Sequence, residues 1–248
     1  PQQQTMIPIF RKIRKKMADD NRPLKYARYA IGEIILVVIG ILIALQINTW
    51  NEERKNRSLE YLTLTELKKN IDSDLREMDT LGKRLSQRIR SAEIILELLS
   101  DSQPYHDSLS IHFGNAMVYT DMNFHKGIYE SIKASGSQSI NDDVLRFEIN
   151  NYYDYSISDM EEGFREIRDD FYNYMLAFLR EEFKYYKSSN STAEPRDFER
   201  LKQDEVYKLS LGVFLDVRKM NLRTLNRTIK KSSELMELID SRLEKIER

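Results

Sequence analysis

The chain has 248 residues, enough for one sizeable core and few for two full domains, and its 39 basic and 40 acidic side chains leave a formal net charge of −1. Without cysteine it has no disulfide framework, thiolate nucleophile or cysteine-based zinc site, and eight glycines and five prolines are too few for a turn-rich β-sandwich or barrel. The charge is unevenly spread: residues 1–28 carry eight basic side chains against Asp19 and Asp20, so the remainder is acidic and nucleic acid is not an expected partner.

In chain order, Ile9, Phe10, Ile13 and Met17 share one helical face of the basic start, with Arg11, Lys12, Lys15 and Lys16 largely around the other. Two readings stand: a short amphipathic helix on an anionic cytoplasmic leaflet, or a basic flank that only sets orientation. Pro23 separates this segment from Tyr29–Trp50, YAIGEIILVVIGILIALQINTW, whose centre carries no charge. Twenty-two residues of helix reach about 33 Å, which matches a hydrocarbon core of about 30 Å, and Tyr29 and Trp50 stand where interfacial aromatics belong. No A-x-A-like cleavage site follows, so a retained anchor is expected rather than a signal peptide. The basic side stays cytoplasmic, which divides the chain into a cytoplasmic segment 1–28, a transmembrane helix 29–50 and a helical domain 51–248 outside the cytoplasm, which in a bacterium means an inner-membrane span and a periplasmic domain.

Beyond Trp50, apolar residues from Leu64, Leu67 and Ile71 to Ile95 and Leu98 recur every three or four positions, which predicts a helix of about 75 Å over Asn51–Ser100 that continues directly from the membrane helix, a local break near Asn48–Asn51 being the alternative. Residues 101–140 are the least regular, with short helices over Leu109–Met117 and Ile128–Lys133 and a C′ glycine at Gly136. Asn141 or Asp142 caps a helix from Val144 to about Lys187, with Leu145, Ile149, Tyr152, Tyr153, Phe164 and Phe171 in its stripe. Ser188–Pro195 reads as a polar loop, and a last helix over Phe198–Ile246 places Leu201, Val206, Leu209, Val213, Val217, Met220, Leu225, Ile229, Leu235 and Ile239 on its inner face, with Gly212 loosening it locally. No period-two alternation competes, so strands are not expected. The fold class is all-α: one N-terminal transmembrane helix followed by an antiparallel helical bundle of long, coiled-coil-like helices.

The segment YAIGEIILVVIGILIALQINTWNE resembles the N-terminal signature of a family of single-pass membrane proteins of unknown function from Bacteroidota, in which a basic start leads to a GEI…LV…GILIALQ…WNE span. Tyr129-Glu-Ser-Ile-Lys-Ala-Ser-Gly136, with Leu145-Arg and Asn151-Tyr-Tyr, is similar to a second pattern of that family. The resemblance implies an inner-membrane location and a helical periplasmic domain, and it carries no catalytic residues over.

Glu33 lies about one turn inside the cytoplasmic edge, where an ionised carboxylate is costly unless paired or hydrated. It shares a face with Gly40 and Ala44, a small-xxx-small pair suited to close helix contact. Three readings remain: a carboxylate that snorkels to the interface, an oligomer contact, or an ion site in a pore or motor. Gln46 and Asn48 could hydrogen-bond between helices or merely mark the interface. His106, His112 and His125 show no metal-binding spacing, and no metal or cofactor is expected. The adjacent acids Asp142-Asp143, Glu161-Glu162, Asp169-Asp170 and Glu181-Glu182 read as solvated helix faces. With no nucleophile elbow, P-loop, Rossmann glycines or calcium loop, no enzyme activity is expected. Among 14 tyrosines, Tyr153, Tyr155 and Tyr172 are candidates for a partner surface, against the alternative of core packing.

These features point to a membrane protein acting as an oligomeric scaffold, accessory subunit or sensor through its helical domain. Its expected partners are membrane lipid and either further copies of itself or another envelope protein. The rival reading is a subunit of an ion-conducting or motor complex that uses Glu33.

Overall fold

The computed structural model describes residues 23–101, 103–135 and 139–247. The basic start with Ile9, Phe10, Ile13 and Met17, and the glycine at 136, lie outside them. The fold is essentially all-α, 84% helical with one two-stranded sheet. The chain divides into two compact units, Pro1–Ser58 and Leu59–Arg248.

Helix α1 is assigned over Pro23–Ser100, with Pro23 as its first residue and no interruption at Asn48–Asn51. Proline suits a first helical position, where its missing N–H is one of the donors a helix cannot use. In the first unit the apolar side chains Ile31–Leu45 are exposed on every side of the helix. This helix is long and apolar enough to cross a membrane, and none of its most apolar stretch is buried.

In the second unit four rods alternate in direction. The first is α1 from Leu59 onward, which buries Leu64, Leu67, Ile71, Met78 and Ile95 as the spacing requires. The second is irregular: a 3₁₀ turn Asp107–Leu109, α2 Ser110–Met117, an extended loop, and α3 Gly127–Ala134. It runs back along α1, with His112 beside Ser91, His125 beside Asp74 and the Asn141 N–H on Glu60. The third rod is α4 Asp143–Asn151, a π-helical turn Tyr152–Ile157, α5 Ser158–Asp170, a second π turn Phe171–Met175, and α6 Leu176–Glu182. Asp142 is its N-cap, accepting from the Leu145 N–H at 3.0 Å. The fourth rod, formed mainly by α8 Glu205–Glu247, returns antiparallel to α1, Tyr61 meeting Glu247 and Glu93 meeting Lys219. This is an up-down-up-down bundle in which the second member is largely loop.

Two expectations about the C-terminal third are corrected. The expected helix to Lys187 stops at Glu182, and the chain enters an antiparallel hairpin, β1 Phe183–Lys187 and β2 Thr192–Pro195, with a bulge between Phe183 and Tyr185. The aromatic and β-branched residues of FKYYK and Thr192 favour a pleated strand. Phe183 joins Phe113 at a ring separation of 5.6 Å, part of an aromatic cluster with Tyr105 and Phe198. The turn places Ser191 at φ 50° and lays its carbonyl on Gly114, where a Cβ would stand 2.0 Å from that oxygen, so only glycine fits there.

The last helix is also two: α7 Phe198–Gln203, capped by Asp197, and α8, whose first turn is held by Asp204 accepting from the Tyr207 N–H at 2.9 Å. Leu225, Leu235 and Ile239 are buried as the stripe requires, but the first half of α8 is out of phase with it. Tyr207, Leu211, Phe214, Arg218 and Asn221 face the core, whereas Val206, Leu209, Val213 and Met220 are exposed. Gly212 lies within unbroken helix.

Candidate functional site

The span residues singled out by sequence stay on α1. Glu33, Gly40 and Ala44 follow one face, with Glu33 half-buried and the other two exposed, while Gln46 and Asn48 are exposed near the outer end. Nothing stands within 4 Å of a Cβ placed on Gly40.

The tyrosine set separates. Tyr155 is 72% exposed and Tyr172 54%, with the Tyr172 hydroxyl bonded to that of Tyr119 at 2.8 Å. Tyr153 is 1% exposed and belongs to the core, which corrects its place in a partner surface. The cause is the π turn at Tyr152–Ile157: its extra residue turns both Tyr152 and Tyr153 inward. Tyr153 stacks on Tyr129 with ring centroids 4.5 Å apart, so two parts of the second resembled pattern, Tyr129–Gly136 and Asn151-Tyr-Tyr, meet at one ring pair. Glu182 is likewise not on a solvated face: it is buried and accepts from Arg200 at 2.8 Å.

A polar concavity lies between α1 and the loop that joins α2 to α3. It is a cleft of about 630 Å³. One wall is a single face of α1, carrying Glu77, Thr80 and Arg84 at successive turns, and the other is formed by Thr120, Asn123 and His125. Both ends of the loop wall are tied down. At one end Arg218, 1% exposed, donates through Nη1 to the Ala116 carbonyl at 2.7 Å and through Nη2 to that of Val118. These are carbonyls at the C-terminal end of α2, the negative end of a helix, which suits a guanidinium. At the other end the buried Asp74 carboxylate accepts from the His125 N–H at 3.3 Å and pairs with His125 Nδ1 at 2.5 Å.

The electrostatics follow from burial. Loss of solvent pushes the Asp74 carboxyl up against the lowering effect of His125, and the hydrogen bond to Asp74 raises the His125 imidazole above its ordinary value. Burial, with a smaller contribution from Arg88 nearby, drops the Arg218 guanidinium to about 9. A His–Asp pair at a cleft edge invites a catalytic reading. Among the described residues, however, no hydroxyl hydrogen-bonds His125 Nε2, as a nucleophile would. His112 bonds Ser91, and His106 caps the 3₁₀ turn by accepting from the Ser108 N–H. Among the described residues no group of three or more His, Asp or Glu side chains is placed to hold a metal ion.

Sequence reasoning singled out none of the cleft residues except His125. Asp74 stands between Ile71 and Met78 on the inward stripe of α1, and that misplaced charge was the available signal.

No curated protein and no solved structure matches the chain. A family model does, across a stretch that holds the apolar part of α1 and both walls of the cleft. Residues 33–167, more than half of the chain, match a family of unknown function (DUF6090), and the chain belongs to that family.

Proposed function

We propose that this chain is a bacterial inner-membrane protein with one span at 29–50, its basic start cytoplasmic and residues 51–248 in the periplasm. There the helical domain serves, without enzymatic activity, as a scaffold or accessory subunit for another envelope protein. The observation that carries this reading is the stretch Ile34–Leu45, apolar around the whole circumference of α1 and unburied, as a lipid-facing helix is and a soluble surface helix is not. The preceding net positive charge supports the orientation. A partner role draws support from α8, which exposes Val206, Leu209 and Val213 beside Tyr174.

The absence of cysteine makes the topology directly testable. Single substitutions Thr5→Cys and Ser189→Cys are labelled in intact cells with a membrane-impermeant maleimide. Labelling of the second alone is the expected result. Labelling of the first alone reverses the orientation, and equal labelling of both in sealed cells removes the span. Native mass spectrometry of gently extracted protein then tests the role. A stoichiometric second protein is expected, whereas a closed homo-oligomer alone turns attention to the Glu33–Gly40–Ala44 face.

A further inference from the structure

Helix α8 carries a second apolar stripe besides the one that faces the core. Val206, Leu209, Val213 and Met220, all exposed, follow its outer side over about 21 Å, four helical turns. Beside this ridge a groove of about 210 Å³ opens between α8 and the second π turn of the third rod. Buried Met175 and Phe214 line it, together with exposed Tyr174 from the third rod and Leu209 and Val213 from α8. That volume is below the range of sites for drug-sized ligands and suits a single large side chain. One apolar anchor in a pocket, with further contacts along a ridge beside it, is the form of a protein interface.

The charged group in the groove lining is Asp170, at the end of α5. It is half-buried, and no hydrogen bond or ion pair holds it among the described residues. Burial pushes its carboxyl above the ordinary value, and Asp169 adds to the shift. On the ridge, Asp216 stands three residues past Val213, exposed and likewise without an ion pair among the described residues. Nearby cations are engaged elsewhere: Lys208 by Glu205, Lys219 by Glu93, Arg165 by Glu162 and Arg168 by Asp121. Arg180, ten residues after Asp170, and Arg223, ten after Val213, stand about 15 Å further along their rods and do not line the groove. The face is thus apolar with an acidic border.

That border discriminates between occupants. A second copy docked through the same face about a twofold axis would bring Asp170 and Asp216 of both chains together, and like charges facing each other across an interface are costly. An anionic bilayer surface repels the same carboxylates. A half-buried carboxylate without a counter-charge gains most from a cation that a partner brings. We infer that this face receives an amphipathic helix of another envelope protein, which seats one large apolar side chain in the groove and sets a lysine or arginine, within one turn of it, against Asp170. A helix of about four turns matches the straight ridge, its apolar anchors supplying affinity and its cation fixing register. The inference rests on the proposed role as a scaffold or accessory subunit, to which it adds the face and the chemistry of the partner.

The test uses the full chain in its own membranes. Val206→p-benzoylphenylalanine and, separately, Met220→p-benzoylphenylalanine place a photoreactive group on the ridge but outside the groove lining, and the irradiated adducts are sequenced. An adduct with a different protein is expected, its crosslinked segment carrying a large apolar residue and a lysine or arginine within four positions of each other. Asp170→Lys reverses the charge and lowers the adduct yield about tenfold or more, and Leu209→Ser has a similar effect. Glu130→Gln, on an exposed position of α3, leaves the yield unchanged. Resistance to trypsin shows that each variant folds, and if Asp170→Lys does not, Asp170→Asn decides by a loss of about threefold. The inference is overturned by an adduct with a second copy or with lipid, by a crosslinked segment free of lysine and arginine, by a yield indifferent to Asp170, or by no adduct. Where native mass spectrometry nonetheless finds a stoichiometric second protein, the accessory role stands and this face alone is excluded.

Discussion

Helices α1, from Leu59 onward, and α8 line the same core, yet their inward faces differ in kind. That of α1 is apolar from Leu64 to Leu99 except at Asp74 and Ser91, whereas α8 sets Arg218, Asn221, Thr228 and Ser232 among its buried positions. The difference follows from what each helix meets. Asn221 Nδ2 donates to the Gly163 carbonyl at 2.6 Å, Thr228 Oγ1 to that of Ser156 at 3.4 Å inside the first π turn, and Ser232 Oγ to the Tyr152 hydroxyl at 3.0 Å. A π turn shifts the helical hydrogen-bond ladder by one residue and disturbs the carbonyls beside it. Helix α8 supplies donors there. The few polar positions on α1 obey the same rule: Glu60 receives the Asn141 N–H, Asp74 that of His125, and Ser91 meets the His112 ring, each opposite the irregular second rod. Apart from Asn221, whose acceptor Gly163 lies within the regular helix α5, each of these polar residues faces irregular backbone or a helix end in the element opposite.

The sharpest way to break this comparison is Arg218→Met, which keeps bulk and removes the donors. It orphans two buried carbonyls and lowers stability by about 3–4 kcal/mol, read as an earlier urea midpoint at unchanged slope. Next is Glu60→Ala. Glu60 is buried and accepts from Arg242 Nε at 2.8 Å, Arg242 Nη2 at 2.9 Å and the Asn141 N–H at 2.9 Å, so its removal costs about 3 kcal/mol in the same measurement. A smaller effect, about 2 kcal/mol, is expected for Asn221→Leu, which adds apolar bulk to the core but leaves the Gly163 carbonyl without its donor. Were Asn221→Leu to stabilise the protein, α8 would be a conventional apolar helix with tolerated polar residues, and the contrast with α1 would fail. The site is tight: a Cβ at Gly163 would stand 2.4 Å from Asn221 Oδ1, so side chain and glycine fit as a pair.

The same contrast explains which parts of the fold the sequence disclosed. The α1 and third-rod stripes were legible because their inward positions are apolar, so Leu64 through Leu98 and Leu145 through Met175 could be placed by spacing, with Leu75 half-buried. In the last helix Leu225, Leu235 and Ile239 were placed correctly, but the part before them was misphased because spacing counts only apolar residues. Val206, Leu209, Val213 and Met220 formed a plausible stripe while Arg218 and Asn221 held the inner face. Two local signals went unused: Asp197 and Asp204 are residues of the N-cap type, and FKYYK has the composition of a strand. The cleft was beyond reach of spacing altogether. Its walls come from residues about 40 positions apart, and its loop is held by Arg218 from a third element. Tyr153 was read both as a stripe position and as a surface candidate, and the π turn that carries Tyr152 and Tyr153 inward together leaves no mark in a 3.6-residue count.

The smallest expected effect concerns the far end of the same loop, where Asp74 and His125 hold it. The hydrogen bond to Asp74 raises the His125 imidazole above 6.5, with Glu77 adding to the shift. A group whose folded value is raised contributes in full below its unfolded value and loses that contribution as pH rises through the folded one. Stability from this pair therefore declines as pH climbs above about 6.5. The Asp74 carboxyl is also raised from its ordinary value of 3.8, by burial, and a raised carboxyl likewise loses its contribution as pH rises, so it does not alter the sign. Because the His125 side chain is 49% exposed, solvent screening keeps the change below about 1 kcal/mol. Urea midpoints at about pH 6 and pH 8 measure it, and His125→Asn, which retains a donor but cannot titrate, flattens the difference. If the slope survives in His125→Asn, the pH dependence arises elsewhere. Asp74 then acts only as a fixed acceptor for the His125 N–H, as Glu60 does for that of Asn141.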